Sequence, residues 1–191
     1  MLTRKWFVAL LIAALVVPAF AFHVPASAQD DPVQVLIFIW GDQSEVTANV
    51  GDGVYLFTGW GVCRAPGLVT VYQNAFGVEL VVDGEVKLDG SVKSTKPYWQ
   101  PTGSWGEESA CHPHPGNVVG AWWVYDLSWL AQAPGTHTIA WVAVQKHQVT
   151  DLLDAVIVLP DGTIEFTPDG KPDKYPADEY SFTTTLVVSA P

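Results

Sequence analysis

Short runs of alternating side chains, separated by turn-forming dipeptides, constrain the fold of this chain more than any other feature. Val54, Leu56 and Thr58 alternate with Tyr55 and Phe57, an arrangement typical of a β-strand with apolar side chains on both faces. Turn signals recur about every 8 to 12 residues, which predicts roughly eight to ten short strands and no long helix. The sequence therefore predicts an all-β fold.

The clearest hairpin signal is Asp83-Gly84, which separates the apolar residues 78–82 from residues 85–88. Two-residue type I′ turns favour this dipeptide because both central residues adopt a positive φ. Residues 33–40 form a continuous apolar run, which predicts a strand buried on both faces. The remaining predicted strands are rich in β-branched and aromatic residues, and they cover residues 46–50, 54–60, 121–127, 137–144, 155–159, 163–167 and 181–188.

Residues 67–75 allow two interpretations. Leu68, Val71 and Tyr72 fit one face of a short helix, whereas the β-branched content of the segment favours an extended or looped backbone. We expect the extended or looped form.

The predicted strands form a single antiparallel β-sandwich, immunoglobulin-like or jelly-roll, over residues 31–190; a closed barrel is the alternative. The stretch that contains Leu130, Pro134, Gly135, His137 and Ile139 resembles the turn-and-strand entry of many bacterial immunoglobulin-like and fibronectin-like modules. This resemblance covers about ten residues, and it implies a sandwich fold but no activity.

The first 28 residues have the pattern of a cleaved signal peptide. Arg4 and Lys5 precede the apolar residues 6–17, and Ala26-Ser27-Ala28 provides a small-x-small cleavage pattern. An earlier cut after Ala21 is the alternative. We expect residues 29–191 to form the secreted, extracytoplasmic domain, without a membrane span.

The chain is strongly acidic, with a formal net charge of −11 at pH 7. Both charges of the predicted signal peptide are basic, so its removal makes the domain still more negative. Nucleic acids and anionic membranes need basic partner surfaces, and the composition argues against both. The acidic residues keep an apolar-rich chain soluble.

Cys63 and Cys111 are the two cysteines of the chain. A pair of cysteines in an exported protein predicts one disulfide. In the loop-closure model such a bridge stabilises the fold by about 4 kcal/mol, because it lowers the entropy of the unfolded chain.

Residues 91–120 lack any hydrophobic period, which predicts an irregular loop with a binding role. Trp99 and Trp105 are the candidates for stacking on a sugar ring or anchoring a protein, with His112 and His114 as hydrogen-bonding partners. The predicted partner is a glycan or an extracellular protein. Alternatively, the two indoles fill the base of their own loop.

Cys111, His112 and His114 are also the strongest metal-ligand candidates, because a thiolate with two imidazoles suits copper or zinc. A further ligand would come from Glu107, Glu108 or His147. The predicted disulfide removes the thiolate, so the sequence predicts no metal site and no cofactor.

An enzyme is the competing class, as a jelly-roll polysaccharide hydrolase that uses Glu107 or Glu108 beside Trp105. Adjacent carboxylates seldom face one point, and no second acidic cluster is spaced to be their partner. Motifs of serine hydrolases, zinc proteases, phosphate-binding loops and thioredoxin-like redox sites are absent from the sequence.

The acidic residues 161–179 offer oxygen ligands for calcium, although their spacing matches no EF-hand and the Asp-Gly pairs are explained by turns. The predicted function is therefore a secreted, non-catalytic binding module. A structural or adhesion subunit that pairs through a sheet edge is a further alternative.

Overall fold

The computed structural model describes residues 33–41, 43–63, 66–101, 103–108, 111, 116–153, 157–158, 164–165 and 169–190. The strands among these residues are β1 (Gln34–Phe38), β2 (Glu45–Asn49), β3 (Gly53–Cys63), β4 (Phe76–Val82), β5 (Glu85–Asp89), β6 (Gly103–Glu108), β7 (Gly116–Asp126), β8 (Gly135–Gln145), β9 (Val149–Thr150), β10 (Ile157–Val158), β11 (Ile164–Glu165), β12 (Lys174–Tyr175) and β13 (Asp178–Ser189). The helices are α1 (Pro66–Ala75) and α2 (Val92–Thr95), with short 3-10 turns at Lys96–Tyr98 and Ser128–Gln132.

Most of these strands belong to two sheets, which confirms the all-β prediction. One sheet has four strands in the order β1-β3-β7-β6, and the other has five in the order β2-β13-β8-β4-β5. Their facing side chains form one apolar core, with Leu56 and Trp123 from the first sheet and Leu80, Ile139 and Leu186 from the second. The pairs β9–β12 and β10–β11 are separate small sheets.

Two pairings are parallel, so the prediction of a wholly antiparallel arrangement is wrong at those positions. β1 runs parallel to β3, and β2 runs parallel to β13. The chain passes from β1 in one sheet to β2 in the other and then returns to β3. Because no tight hairpin joins the paired strands, their relative direction is not forced to be antiparallel.

β1 lies at the edge of the four-stranded sheet, and its residues are not buried on both faces as predicted. Ile37 and Ile39 point into the core and are fully buried, whereas Leu36 on the opposite face is 42% exposed. The outer face of the sheet is uncovered at this strand.

Residues 66–75 form the helix α1, so the expectation of an extended or looped segment is wrong. Val69, Tyr72 and Ala75 are buried, while Val71 is largely exposed. These buried positions lie three residues apart and define a helical face, and burial of that face outweighs the weak helix propensity of β-branched residues.

The Asp83-Gly84 turn is confirmed. The two residues have φ values of 51° and 83°, and β4 and β5 pair antiparallel on either side. The Asp83 carboxylate also accepts a hydrogen bond from the Thr138 backbone N–H at 2.8 Å, which attaches the turn to β8.

The segment 91–120, expected to be irregular, contains ordered elements among its described residues. The Ser91 side chain caps α2 by accepting from the Ser94 N–H at 3.0 Å, and β6 pairs with β7. The buried Thr95 accepts from the Trp123 indole N–H through its carbonyl at 3.0 Å. The predicted disulfide between Cys63 and Cys111 is confirmed, with a Cα–Cα distance of 5.6 Å.

Among the described residues, no helix has both the length and the apolar character needed to cross a membrane.

One hydrogen bond links the two sheets through the middle of the core. The indole N–H of Trp141, on the five-stranded sheet, donates to the Ile39 carbonyl beside β1 at 2.8 Å. We expect Trp141→Phe to lower the free energy of unfolding by about 1–3 kcal/mol, because it leaves a buried carbonyl without a partner. Urea denaturation measures this loss. Trp129→Phe, at an exposed indole, is the control, and an equal loss in both variants would contradict the assignment.

Candidate binding face of the four-stranded sheet

Of the four predicted binding residues, Trp99 is the one whose side chain is described. Its indole is partly buried and meets the rings of Tyr72 and Phe76 edge-on, each at a centroid distance of 5.6 Å. Trp105 lies in β6, but its side chain is outside the described residues, as are His112 and His114. The structure therefore shows the contacts of Trp99 alone, and these contacts are with the core.

Trp99 belongs to an aromatic cluster between α1 and the four-stranded sheet. Tyr72 stacks on Trp60 with centroids 4.3 Å apart and planes 11° apart. The Trp60 and Trp99 Nε1 atoms and the Tyr72 hydroxyl are buried without a hydrogen-bond partner among the described residues. Burial also raises the pKa of Tyr72, so its hydroxyl stays protonated.

A different surface carries partly exposed aromatic side chains, and its position follows from strand register. Tyr55, Phe57 and Gly59 of β3 pair with Asp126, Val124 and Trp122 of β7. Because side chains alternate along a strand, these residues all lie on the face that points away from the core. On the other side of β3, Leu36 pairs with Tyr55 and Phe38 pairs with Phe57. We call this surface the outer face, and its apolar members are Leu36, Phe38, Tyr55, Phe57, Trp122 and Val124.

Each apolar member of the outer face keeps some solvent exposure. The rings of Phe38 and Phe57 are in contact, with centroids 5.3 Å apart. The Trp122 ring lies directly over Gly59, since a Cβ atom added to that glycine would be 2.0 Å from ring atom Cζ3. Partly exposed apolar side chains that adjoin in this way make the outer face a candidate interaction surface.

A row without side chains lies beside Trp122. Gly61 of β3, Gly120 of β7 and Gly103 of β6 pair across three neighbouring strands. None of the three has a Cβ atom, and the middle one, Gly120, is buried.

The outer face is covered at one end and open at the other. Beyond the glycine row, Cys63 pairs with Val118, and both are buried together with Cys111 under Leu152 and Leu153. We call residues 149–153 and 173–175 the end cap. At the opposite end the face finishes at the exposed Asp126, whose carboxylate accepts from the Ser128 N–H at 2.8 Å.

The end cap is held by backbone hydrogen bonds. The Cys63 N–H donates to the Asp151 carbonyl, and the Asp173 N–H donates to the Leu153 carbonyl, both at 2.7 Å. The Thr150 hydroxyl donates to the Asp173 carbonyl, also at 2.7 Å. Leu152 has a φ of 59°, in the left-handed region that a bulky residue adopts at an energetic cost.

The other candidate sites gain no support from the described side chains. Among them, no group of three or more His, Cys, Asp or Glu residues is placed to hold a metal ion. The side chains of Glu107 and Glu108 are outside the described residues. Within the predicted calcium loop, Asp169 pairs with Lys171 at 3.3 Å, and Asp173 is buried in the end cap.

The sequence interpretation missed the outer face, although a signal for it was present. Tyr55 and Phe57 alternate with the core residues of β3, so that strand was predicted to be apolar on both faces. The sequence did not show that β7 pairs with β3. This pairing, in its observed register, places Trp122 and Val124 beside Tyr55 and Phe57.

Because the hydroxyl of Tyr72 is buried, we predict that its removal stabilises the protein. We expect Tyr72→Phe to raise the free energy of unfolding by about 1 kcal/mol, because it removes a buried polar atom that has no partner among the described residues. Urea denaturation of the two proteins measures the difference. A decrease instead would show that the hydroxyl makes a hydrogen bond.

Gly59 and Gly103 form a matched pair of variants. Gly59→Ala places a Cβ against the Trp122 ring, whereas at Gly103 an added Cβ meets nothing within 4 Å. We expect Gly59→Ala to lower the free energy of unfolding by about 1–3 kcal/mol and to change the near-ultraviolet circular dichroism, because the indole must move. Gly103→Ala should leave both unchanged, and equal behaviour of the two variants would contradict this packing.

Comparison with known proteins does not assign the chain to a family. No protein-family model matches the chain. No curated protein matches it either. A cysteine protease inhibitor from Entamoeba histolytica is similar at 8% identity and a TM-score of 0.29, over 84% of this chain and 100% of that one. The major subunit of aggregative adherence fimbriae type I from Escherichia coli is similar at 9% identity and a TM-score of 0.23, over 77% and 91% of the two chains. At these TM-scores the likenesses carry no argument about this protein.

Proposed function

We propose that this protein is a secreted, non-catalytic β-sandwich module of immunoglobulin-like type that binds a carbohydrate chain on its outer face. The observation that carries the proposal is the row of partly exposed aromatic side chains on that face, with Phe57 and Trp122 at its centre. The two sheets around one core support the sandwich assignment.

The chemistry of the outer face favours a sugar. Aromatic faces stack on the apolar faces of pyranose rings, while hydroxyl groups of the sugar bond to polar groups at the margin. The exposed Asp126 lies at the margin of the face, where its carboxylate can accept from such hydroxyls. The net charge of −11 further favours a neutral or cationic partner over an anionic one.

The size of the face favours a glycan over a protein partner. Four strands about 4.8 Å apart and about six residues long at 3.4 Å each enclose on the order of 300 Å². A stable protein interface buries about 800 Å² on each partner. A flat area of this extent suits a few sugar rings.

The compartment and the remaining site residues belong to the same proposal. The disulfide fits an oxidising compartment, and residues 1–28 would be the signal peptide that directs the domain 29–191 there. Trp105, His112 and His114 remain predicted contacts of the ligand. Trp99 would act indirectly. Its backbone forms an isolated β-bridge with that of Trp123, on the strand that also carries Trp122.

Binding to a panel of insoluble and soluble polysaccharides tests the proposal. We expect Phe57→Ala and Trp122→Ala each to weaken binding by tenfold or more, because each removes a ring on which the sugar stacks. Trp129→Ala is the matched control, since this exposed indole lies under Lys87 of the five-stranded sheet. Its affinity should equal that of the wild type.

Three outcomes would contradict the proposal. The first is that the wild type binds no member of the panel. The second is that the control variant loses as much affinity as the other variants. The third is that reducing ends are released from a bound polysaccharide. Thermal unfolding of each variant shows that loss of binding is not loss of fold, and Trp122→Phe should retain part of the affinity.

A further inference from the structure

The strand β1 is an uncharged edge of the four-stranded sheet. β3 lies on one side of it, and no strand among the described residues lies on the other. Residues 33–41 include no charged residue. Val33 is 61% exposed and Leu36 is 42% exposed, so apolar surface accompanies the open side of this strand.

The other edge strands of the two larger sheets carry charged residues. β2 begins with Glu45, and β6 ends in Glu107 and Glu108 after a register shift against β7. β5 alternates charged and apolar residues in the sequence EVKLD. Charged residues and irregular register at an edge prevent the strands of other molecules from pairing with it. β1 has neither, which indicates an edge that is used for pairing.

The open side of β1 is lined by backbone groups of its even-numbered residues. The Val33 carbonyl accepts a hydrogen bond from β3 at 3.0 Å, and the Ile39 N–H donates one to β3 at 2.9 Å. Because N–H and C=O groups alternate in direction along a strand, those of Gln34, Leu36 and Phe38 point away from β3.

One end of this open side is already occupied. The Phe38 N–H donates to the Gln43 side chain, and the Phe38 carbonyl accepts from the Gly41 N–H, both at 2.9 Å. Among the described residues, no partner bonds to the outward N–H and C=O groups of Gln34 and Leu36. An added strand would therefore pair with these two residues.

We propose that β1 pairs with β1 of a second copy of this chain, antiparallel about a twofold axis at Val35. Gln34 then lies opposite Leu36 of the second copy, and Leu36 lies opposite Gln34 of the second copy. Each pair exchanges two hydrogen bonds, as alternate opposed residues of an antiparallel ladder do. The pairing uses the free outward groups of β1 and leaves the contacts of Phe38 intact.

Charge and symmetry favour a second copy as the partner. The net charge of −11 attracts basic partners, but an edge without acidic residues gives them no ion pair. This edge suits an uncharged strand, and β1 is itself such a strand. Gln34 and Leu36 are also symmetric about Val35, so two identical strands match. Since each copy offers one such edge among its described strands, assembly ends at a dimer.

Sedimentation velocity from about 1 μM to about 100 μM tests the dimer. We expect the protein to change from monomer to dimer over this range, because a paired edge covers less surface than a permanent interface. Since both copies are negative, raising the salt concentration from about 50 mM to about 500 mM should strengthen the dimer. A monomer under all of these conditions, or assemblies larger than a dimer, would overturn the proposal.

Two proline variants identify the edge. Gln34→Pro removes an outward N–H and no bond to β3, and it should raise the dissociation constant of the dimer at least tenfold. Thr47→Pro in the edge strand β2 is the matched control and should not change it. The Ser44 carbonyl and the Val50 N–H bond to β13, so the N–H of the exposed Thr47 also points outward. Equal behaviour of the two variants would contradict pairing through β1.

Hydrogen exchange of the wild type decides the question even if Gln34→Pro fails to fold. The Leu36 N–H is free in the monomer and bonded in the dimer, so its protection should rise at least tenfold with concentration. The Ile39 amide, which donates to β3, is the internal reference and should not change. A Leu36 amide that exchanges equally fast at both ends of the concentration range would overturn the pairing.

The dimer would join two outer faces, and this consequence rests on the proposed function. Opposed residues point to the same side of a sheet, and the paired residues are even-numbered in both copies, like Leu36 and Phe38 of the outer face. Gln34→Pro should therefore bind a long polysaccharide at least tenfold more weakly than the wild type, and a short oligosaccharide equally well. A dimer that binds no polysaccharide would overturn the proposed function alone, and binding by a permanent monomer would overturn the dimer alone.

Discussion

Nine consecutive residue pairs join β3 to β7 in one antiparallel register without a shift, from Tyr55–Asp126 to Cys63–Val118. Since successive side chains point to opposite faces, this register assigns Leu56 and Trp123 to the core and Phe57 and Trp122 to the outer face. A slip by one residue would exchange the two sets. Register is strongly specified here because the core set is fully buried, so the position of the outer face follows from packing of the interior.

The sequence predicted those features that depend on a few neighbouring residues. The Asp83-Gly84 turn follows from the positive φ values that its two residues accommodate, and the disulfide follows from there being one pair of cysteines. The helix α1 and the parallel pairing of β1 depend on contacts with distant parts of the chain. Local propensity is weaker than burial in such cases, and it therefore gave the wrong backbone for residues 67–75.

The candidate site was harder to predict for the same reason. Trp99 lies in a segment without hydrophobic period, which suggested exposure, yet its ring meets Tyr72 and Phe76 of the core. Phe57 and Trp122 alternate with core residues along their strands, so they lie on the opposite side of the sheet. Whether such a residue is exposed depends on what covers the side of the sheet that faces away from the core. The neighbouring strands and the end cap determine this, and the sequence of one strand does not show it.

The end cap is an unusual way to cover apolar surface. Leu152 and Leu153 bury the disulfide end of the outer face, but the segment that carries them also buries Asp151 and Asp173 and holds Leu152 at a positive φ. Burying ionisable groups costs several kcal/mol unless they are neutral or well paired, and apolar replacements of similar size commonly stabilise a protein. The Asp151 carboxylate offsets part of this cost by accepting from the Leu153 N–H at 2.9 Å. Phe57 and Trp122 lie outside this cap and keep part of their surface exposed.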